Sequence, residues 1–190
     1  MERPMDGDLT TLAAVKAWLP DMASVATSDA LLAQLITAAS TFVCNYTGRA
    51  SFAVTAYTED YDGAGHSFLL LRQWPVTGLA SISLGGAAAG AFHLQPPLPG
   101  GGAQRLSLIG AVFPRGRSNI TISYSAGYAA TPPDVAQAVI ELAAERFKTR
   151  DRIGQTSKTL GGQETAAFST AAMSPTVAAL LAPYRRVVPC

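Results

Sequence analysis

Thiols and imidazoles are scarce in this chain, whose 190 residues include two cysteines and two histidines. Cys44 falls in an apolar helical pattern and Cys190 is the last residue, so a disulfide framework is not expected and a reducing compartment is the natural setting. His66 and His93 lack the cysteine or carboxylate spacing of a zinc site, and no metal or cofactor is expected. Charge is also sparse, at 14% of residues against 48% hydrophobic, which excludes a disordered chain and suits one domain with a real core. No run of about 18 apolar residues is present to cross a membrane. "MERPMDGDLTT" has no signal-peptide stretch, so the expectation is a soluble protein made in a cytosol.

Catalytic signatures are missing as well. "GQTSKT" (residues 154–159) resembles a phosphate-binding loop, but Ser157 stands where that motif needs a second glycine before the lysine, and the segment follows a helix rather than a strand. "EDYDG" (residues 59–63) clusters carboxylates as a calcium loop does, yet no glutamate closes the loop, and a solvated hairpin turn is the better reading. There is no Gly-x-Ser-x-Gly elbow. Cys44 reads as a helical core residue rather than a nucleophile, so no catalytic residue is assigned and an enzyme is not expected.

The patterns that are present describe helices at both ends and strands between them. Leu12, Val15, Trp18 and Leu19 recur at helical spacing before Pro20, predicting a helix over 9–19. Ser28 as cap, an apolar face from Leu31 to Tyr46 and Gly48 as stop predict a second over 28–47. "TPPDVAQAVIELAAERFKTR" predicts a third over 133–152, and Ser174 with Pro175 opens a fourth over 174–182. From about 51 to 126 the period changes to two: strands flank Asp62-Gly63, followed by "LASISLGG" and "NITISYSAGY". The Gly, Pro and Ala-rich stretch between the last two reads as a long loop or hairpin tip with Phe92 and Leu94 as anchors. The predicted fold class is α+β: a small bundle of three to four helices with an antiparallel β region inserted between the second and third main helices. A single domain is expected, with the polar segment 153–173 and the tail 183–190 as partner-binding arms.

Net charge is +1, but it is unevenly placed: residues 1–62 carry three basic and eight acidic side chains, and residues 63–190 eleven and five. Such a polar molecule suits head-to-tail stacking, although solvated surface accounts for the same count. Five of the fourteen Lys and Arg residues fall between 145 and 163.

"LTTLAAVKAWLP", "SDALLAQLITAASTFVCNYTGR", "LRQWPVTGLASISLGG", "YSAGY" followed by "PPDVAQAVIELAAERFKTRDRIG", and "YRRVVP" together resemble the head-tail connector (adaptor) proteins of tailed phages and phage-like gene transfer particles. The resemblance implies a structural protein of the virion neck, assembled in the bacterial host cytoplasm. It would form a homo-oligomeric ring of about twelve copies under the portal protein, extend the DNA channel and dock the next neck or tail protein. Candidate portal or neighbour contacts are Arg146, Lys148, Arg150, Arg152 and Lys158 with Tyr184, Arg185, Arg186, Val187 and Val188, the tail lying on its partner as an extended arm. The same cations could instead touch channel DNA without reading bases. A stopper or tail-completion protein is the alternative, and a DNA-binding packaging subunit the second; the latter needs a concentrated basic reading helix.

Overall fold

A computed structural model of the chain describes residues 7–22, 25–96, 104–150, 157–160, 164–167 and 173–186. Two compact units emerge: a helical one from Met1–Val43 with Pro133–Ala182, and a β one from Cys44–Pro132 with Pro183–Cys190.

The helical unit begins with α1 (Leu12–Trp18), whose Thr11 hydroxyl accepts from Ala14 N at 3.2 Å. This cap satisfies one of the first-turn amides that a helix leaves unpaired. Helix α2 (Asp29–Thr47) follows Ser28 directly, and the Lys16 ammonium ties the two helices by an ion pair to Asp29 at 2.8 Å. Leu32, Ile36, Ala39 and Val43 form the buried stripe of α2. Within it Ser40 is buried and accepts from Leu9 N at 3.0 Å, so no polar atom is stranded there. Helix α3 (Pro133–Thr149) buries Val135, Ala138, Val139, Leu142, Ala143 and Phe147, the three- and four-residue spacing of one helix face. Helix α4 (Pro175–Leu181) is capped by the Ser174 hydroxyl, which accepts from Val177 N at 3.2 Å, and buries Val177 and Leu181.

The β unit contains two antiparallel sheets. Strands β1 (Thr55–Gly63), β7 (Gly116–Ala126), β3 (Val76–Leu84) and β4 (Ala87–Ala88) pair in that order, and β2 (Phe68–Leu70), β6 (Arg105–Leu108) and β5 (Phe92–Leu94) form the second sheet. The alternation in "NITISYSA" puts Ile120, Ile122, Tyr124 and Ala126 on one face of β7, all buried. That face packs in one core with Leu106 and Leu108 of β6, Ile82 of β3 and Phe113. Gly127 closes the strand at φ 136°, where an added Cβ would lie 2.3 Å from the Ala53 carbonyl oxygen. Only glycine fits so close to another backbone.

This architecture corrects the predicted fold class. Among the described residues the β unit alone contributes seven strands in two sheets, against four short-to-medium α-helices, so the protein is a sheet-rich α+β fold and not a helical bundle carrying a β insertion. The physical reason is that each sheet has one apolar face and the two faces close on each other. The β region therefore has its own core and needs no bundle to cover it.

Local expectations change in the same way. Asp62-Gly63 is not a tight hairpin turn: β1 continues through it and pairs with β7, placing β1 and β2 in different sheets. The predicted loop after β3 contains β4 and β5, with Leu94 packed against the core and Phe92 exposed. Within the polar segment after α3, strands β8 (Ser157–Leu160) and β9 (Glu164–Ala167) pair as a hairpin.

Candidate functional site: an anchored C-terminal tail and a basic helix end

The end of α2 prepares the more elaborate of two sites. Gly48, at φ 68°, donates its N–H to the Asn45 carbonyl at 3.2 Å, and Arg49 N donates to the Cys44 carbonyl at 3.0 Å. These two bonds are the Schellman ending that glycine permits and that "NYTGR" announces. The turn sends Arg49 into the β unit, where its side chain is buried. Its guanidinium carbon lies 4.3 Å from the Trp74 ring centroid, 5.1 Å from Phe52 and 5.4 Å from Tyr128. Nη1 donates to the Trp74 carbonyl at 2.6 Å and Nε to the Tyr184 carbonyl at 3.3 Å, while Nη2 finds no acceptor among the described residues. Ring faces therefore supply part of what a buried cation needs. Burial pulls this guanidinium down from its usual pKa, with the nearby phenols acting the other way.

The C-terminal tail is the other half of this site. The Tyr184 ring meets Phe52 and Tyr128 edge-on, with centroids 6.0 and 6.1 Å apart. Arg185 lies over the Tyr46 ring at 5.2 Å, and Arg186 N donates to the Thr47 carbonyl at 2.8 Å. A Cβ on Gly48 would come within 3.3 Å of the Arg186 Cβ, so the glycine that ends α2 also makes room for the tail. Tyr184, Arg185 and Arg186 are thus brought together against their own β unit. Val187 and Val188 lie outside the described residues.

The second site is the last turn of α3, in the helical unit. Arg146 lies over the Phe42 ring of α2 at 5.2 Å. Arg150 turns back on its helix, with Nη1 donating to the Phe147 carbonyl at 2.6 Å and its guanidinium 4.0 Å from the Phe147 ring. A cation so placed meets the negative end of the helix dipole. Lys148 is exposed. Arg152 lies outside the described residues, and Lys158 is placed only as a position on β8.

Sequence reasoning missed Arg49 with its ring partners Phe52, Trp74 and Tyr128. The available signal was an arginine directly after a helix-stopping glycine and just before an apolar Phe52, a place where a cation has no local partner. It also missed a polar knot in the β unit. Glu59 accepts from Tyr61 Oη at 2.5 Å and from Tyr124 Oη at 2.7 Å, and those phenols accept from Arg72 N and Gln73 N at 3.0 and 3.2 Å. Asp60 accepts from the Thr121 hydroxyl at 2.7 Å and Asp62 from Ser118 N at 2.6 Å. Each carboxylate of "EDYDG" is therefore engaged across the β1–β7 pair. No group of three His, Cys, Asp or Glu among the described residues is arranged to hold a metal ion. Burial also pushes the Cys44 thiol above its ordinary pKa, the opposite of what a thiolate nucleophile requires.

The sequence profile of the head completion protein family matches residues 8–187. The chain belongs to the head completion protein family. Two solved structures share its fold. A chain from the "Neck of empty GTA particle computed with C6 symmetry" is 22% identical, with 96% of this chain and 92% of that one covered at a TM-score of 0.58. One from the "Neck of native GTA particle computed with C12 symmetry" is 22% identical, with 96% of each covered at 0.54. No curated protein matches. The connector resemblance seen in the sequence is borne out at the level of the family.

Proposed function

We propose that this head completion protein is a connector: a ring of about twelve copies under the portal that extends the DNA channel and receives the next neck protein. The observation that carries the reading is the family match across residues 8–187. Similarity of fold to chains from necks reconstructed with C6 and C12 symmetry supports a ring in the virion neck. Assembly in the host cytoplasm belongs to the same proposal. Purified portal is the test: a symmetric complex supports the connector, whereas binding only to a preassembled portal–connector complex would favour the stopper or tail-completion alternative.

Helix α2 suits the ring wall. Asp29 is its sole charged residue in 19, and its exposed side consists of Ala30, Leu31, Gln34, Thr37, Ala38, Thr41 and Asn45. The hydroxyls of Thr37 and Thr41 donate back to the carbonyls of Ala33 and Thr37, at 3.2 and 2.9 Å, which engages the polar atoms within the helix. A surface helix normally carries charge on such a face, so an uncharged one favours contact with a neighbouring copy. Ala38→Glu with Thr41→Glu is expected to prevent ring formation in mass photometry while leaving the helical circular dichroism unchanged.

For the portal, the proposal keeps Arg146, Lys148, Arg150, Arg152 and Lys158 with Tyr184 to Val188. The anchored tail refines it. With Tyr184 and Arg186 fixed to the β unit, the following residues start from a defined point, which lowers the entropy cost of docking. Deleting 187–190 is expected to weaken portal binding by roughly tenfold or more without changing the melting temperature. Equal affinity would remove the tail from the interface. The packaging-subunit alternative needs salt-dependent DNA binding by the isolated chain.

A further inference from the structure

Of the eight large hydrophobic side chains exposed among the described residues, five belong to the small sheet and the loop that follows it: Phe68, Leu70, Phe92, Ile109 and Val112. Ile109 is 61% exposed and Val112 54%, too open for core residues caught at an edge. The strand register sorts them. Phe68 and Leu70 lie opposite Ser107 and Arg105 on the outer face of the sheet, whereas Phe92 pairs with the buried Leu108 and projects from the inner side at the sheet's end, outside that outer surface. Ile109 N donates to the Ala91 carbonyl beside Phe92, and Phe113 N donates to the His66 carbonyl, which places Val112 at that same end. An exposed apolar cluster of this kind marks a contact surface.

Its charge setting identifies the partner. Between residues 63 and 133 the chain has no Asp or Glu but four Arg. Arg105 lies 3.9 Å from the Phe68 ring centroid, and Arg115 packs against Gly65 beside the His66 backbone. The three acids of the β unit, Glu59, Asp60 and Asp62, are each hydrogen-bonded within the β1–β7 pair. The helical unit has the reverse balance, with ten acidic and seven basic side chains against three and seven in the β unit. Its α3 carries Asp134, Glu141 and Glu145 on one side, at intervals of seven and four residues; Glu141 accepts from Gln137 Nε2 at 2.9 Å, and Lys148 ends that side, so the acidic stretch runs from Asp134 to Glu145.

We infer that the arginine-flanked apolar face of the β2–β6–β5 sheet docks on the acidic side of α3 in the next copy of the chain. Two different surfaces meeting in this way make a heterologous contact, the type that closes into a ring. Apolar contact supplies affinity, and the arginine–carboxylate pairs set orientation and exclude the symmetric dimer, in which arginine would face arginine. The inference rests on the ring reading above and adds a second contact to the α2 face named there.

The test uses the full chain, alone and with portal, in mass photometry. Ile109→Asp with Val112→Asp, and separately Arg115→Glu, are expected to raise the concentration for half-assembly by roughly tenfold or more. All three positions are exposed, so thermal melts should remain at the wild-type value. Adding Glu141→Arg and Glu145→Arg to the arginine variant should restore the ring. If both variants assemble like wild type, this inference falls while the ring stands. If the arginine variant fails and the charge swap does not rescue it, α3 is not the partner. A wild-type chain that stays monomeric with portal present overturns the ring reading itself, and this inference with it.

Discussion

Replacing Arg49 with alanine is expected to lower the stability of the β unit by about 3 kcal/mol, since hydrogen bonds to a charged group each contribute about 1.5 to 3 and a desolvated cation–π contact about 2, offset by the charge no longer being buried. The variant leaves the Trp74 and Tyr184 carbonyls without their donor and opens a gap between Phe52, Trp74 and Tyr128. Urea unfolding followed by Trp74 fluorescence, in a Trp18→Phe background that removes the exposed second indole, measures the loss. The same variant should release the tail, seen as faster amide exchange at Arg186, whose N–H bonds to Thr47 in the native protein. Arg49→Lys should recover little, because an ammonium lacks the planar fork that reaches two carbonyls while stacking on rings. A stability within about 0.5 kcal/mol of wild type would show that the tail is held without the guanidinium.

Alkaline pH is expected to destabilise the same unit through Tyr61 and Tyr124. Burial, reinforced by the hydrogen bond to Glu59, pushes the Tyr61 phenol up from 10 to about 12, and the same two causes raise Tyr124 further. The groups facing Tyr61 are the Glu59 carboxylate, the Tyr124 hydroxyl and the Arg72 guanidinium, 4.4 Å from the ring. Above pH 10 the unfolded chain loses the Tyr61 proton while the native protein keeps it. The unfolded state then binds fewer protons, so stability falls as pH rises from 10 through 12. A shift of that size corresponds to roughly 3 kcal/mol from Tyr61 alone. Urea midpoints between pH 8 and 11.5 measure it, and Tyr61→Phe should flatten the slope in that range. An equal slope in that variant would place the alkaline sensitivity elsewhere.

These two sites show where sequence reading stops. Helix positions were legible because the signals are local, although α1 begins at Leu12 and not at residue 9, and α3 ends at Thr149 and not at residue 152. Thr11 and Ser174 cap the helices that follow them, Gly48 ends α2, and the apolar spacing of α3 matches its buried side. The two-residue period of "NITISY" likewise identified β7. Strand partners were not legible, since β1 pairs with a strand about sixty residues away and not with its sequence neighbour β2. Pairing of that range depends on which apolar faces close together, a property of the whole β unit. The mistaken bundle came from weighting helices, which are visible one at a time, over a two-sheet core visible only when assembled.

The candidate cations divide along the same line. Sequence showed that basic residues cluster at the end of α3 and in the tail. Only the fold shows that Arg146 and Arg150 lie over Phe42 and Phe147, that Arg185 lies over Tyr46, and that Tyr184 and Arg186 are fixed to the end of α2. Arg49 looked like any other surface arginine, because burial of a cation depends on rings contributed by Phe52, Trp74 and Tyr128 from separate stretches of chain.

By itself, the sequence determined the helices, the presence of strands, the absence of catalytic motifs and the family resemblance, all of which rest on residue type and short spacing. The tertiary structure alone decided that the β region is a two-sheet body, that its carboxylates are internally bonded, that its exposed surface joins apolar residues with arginines, and that the tail is stitched to it. Those features arise from contacts between residues far apart in the chain, and their free energy exists only once the backbone has brought them together.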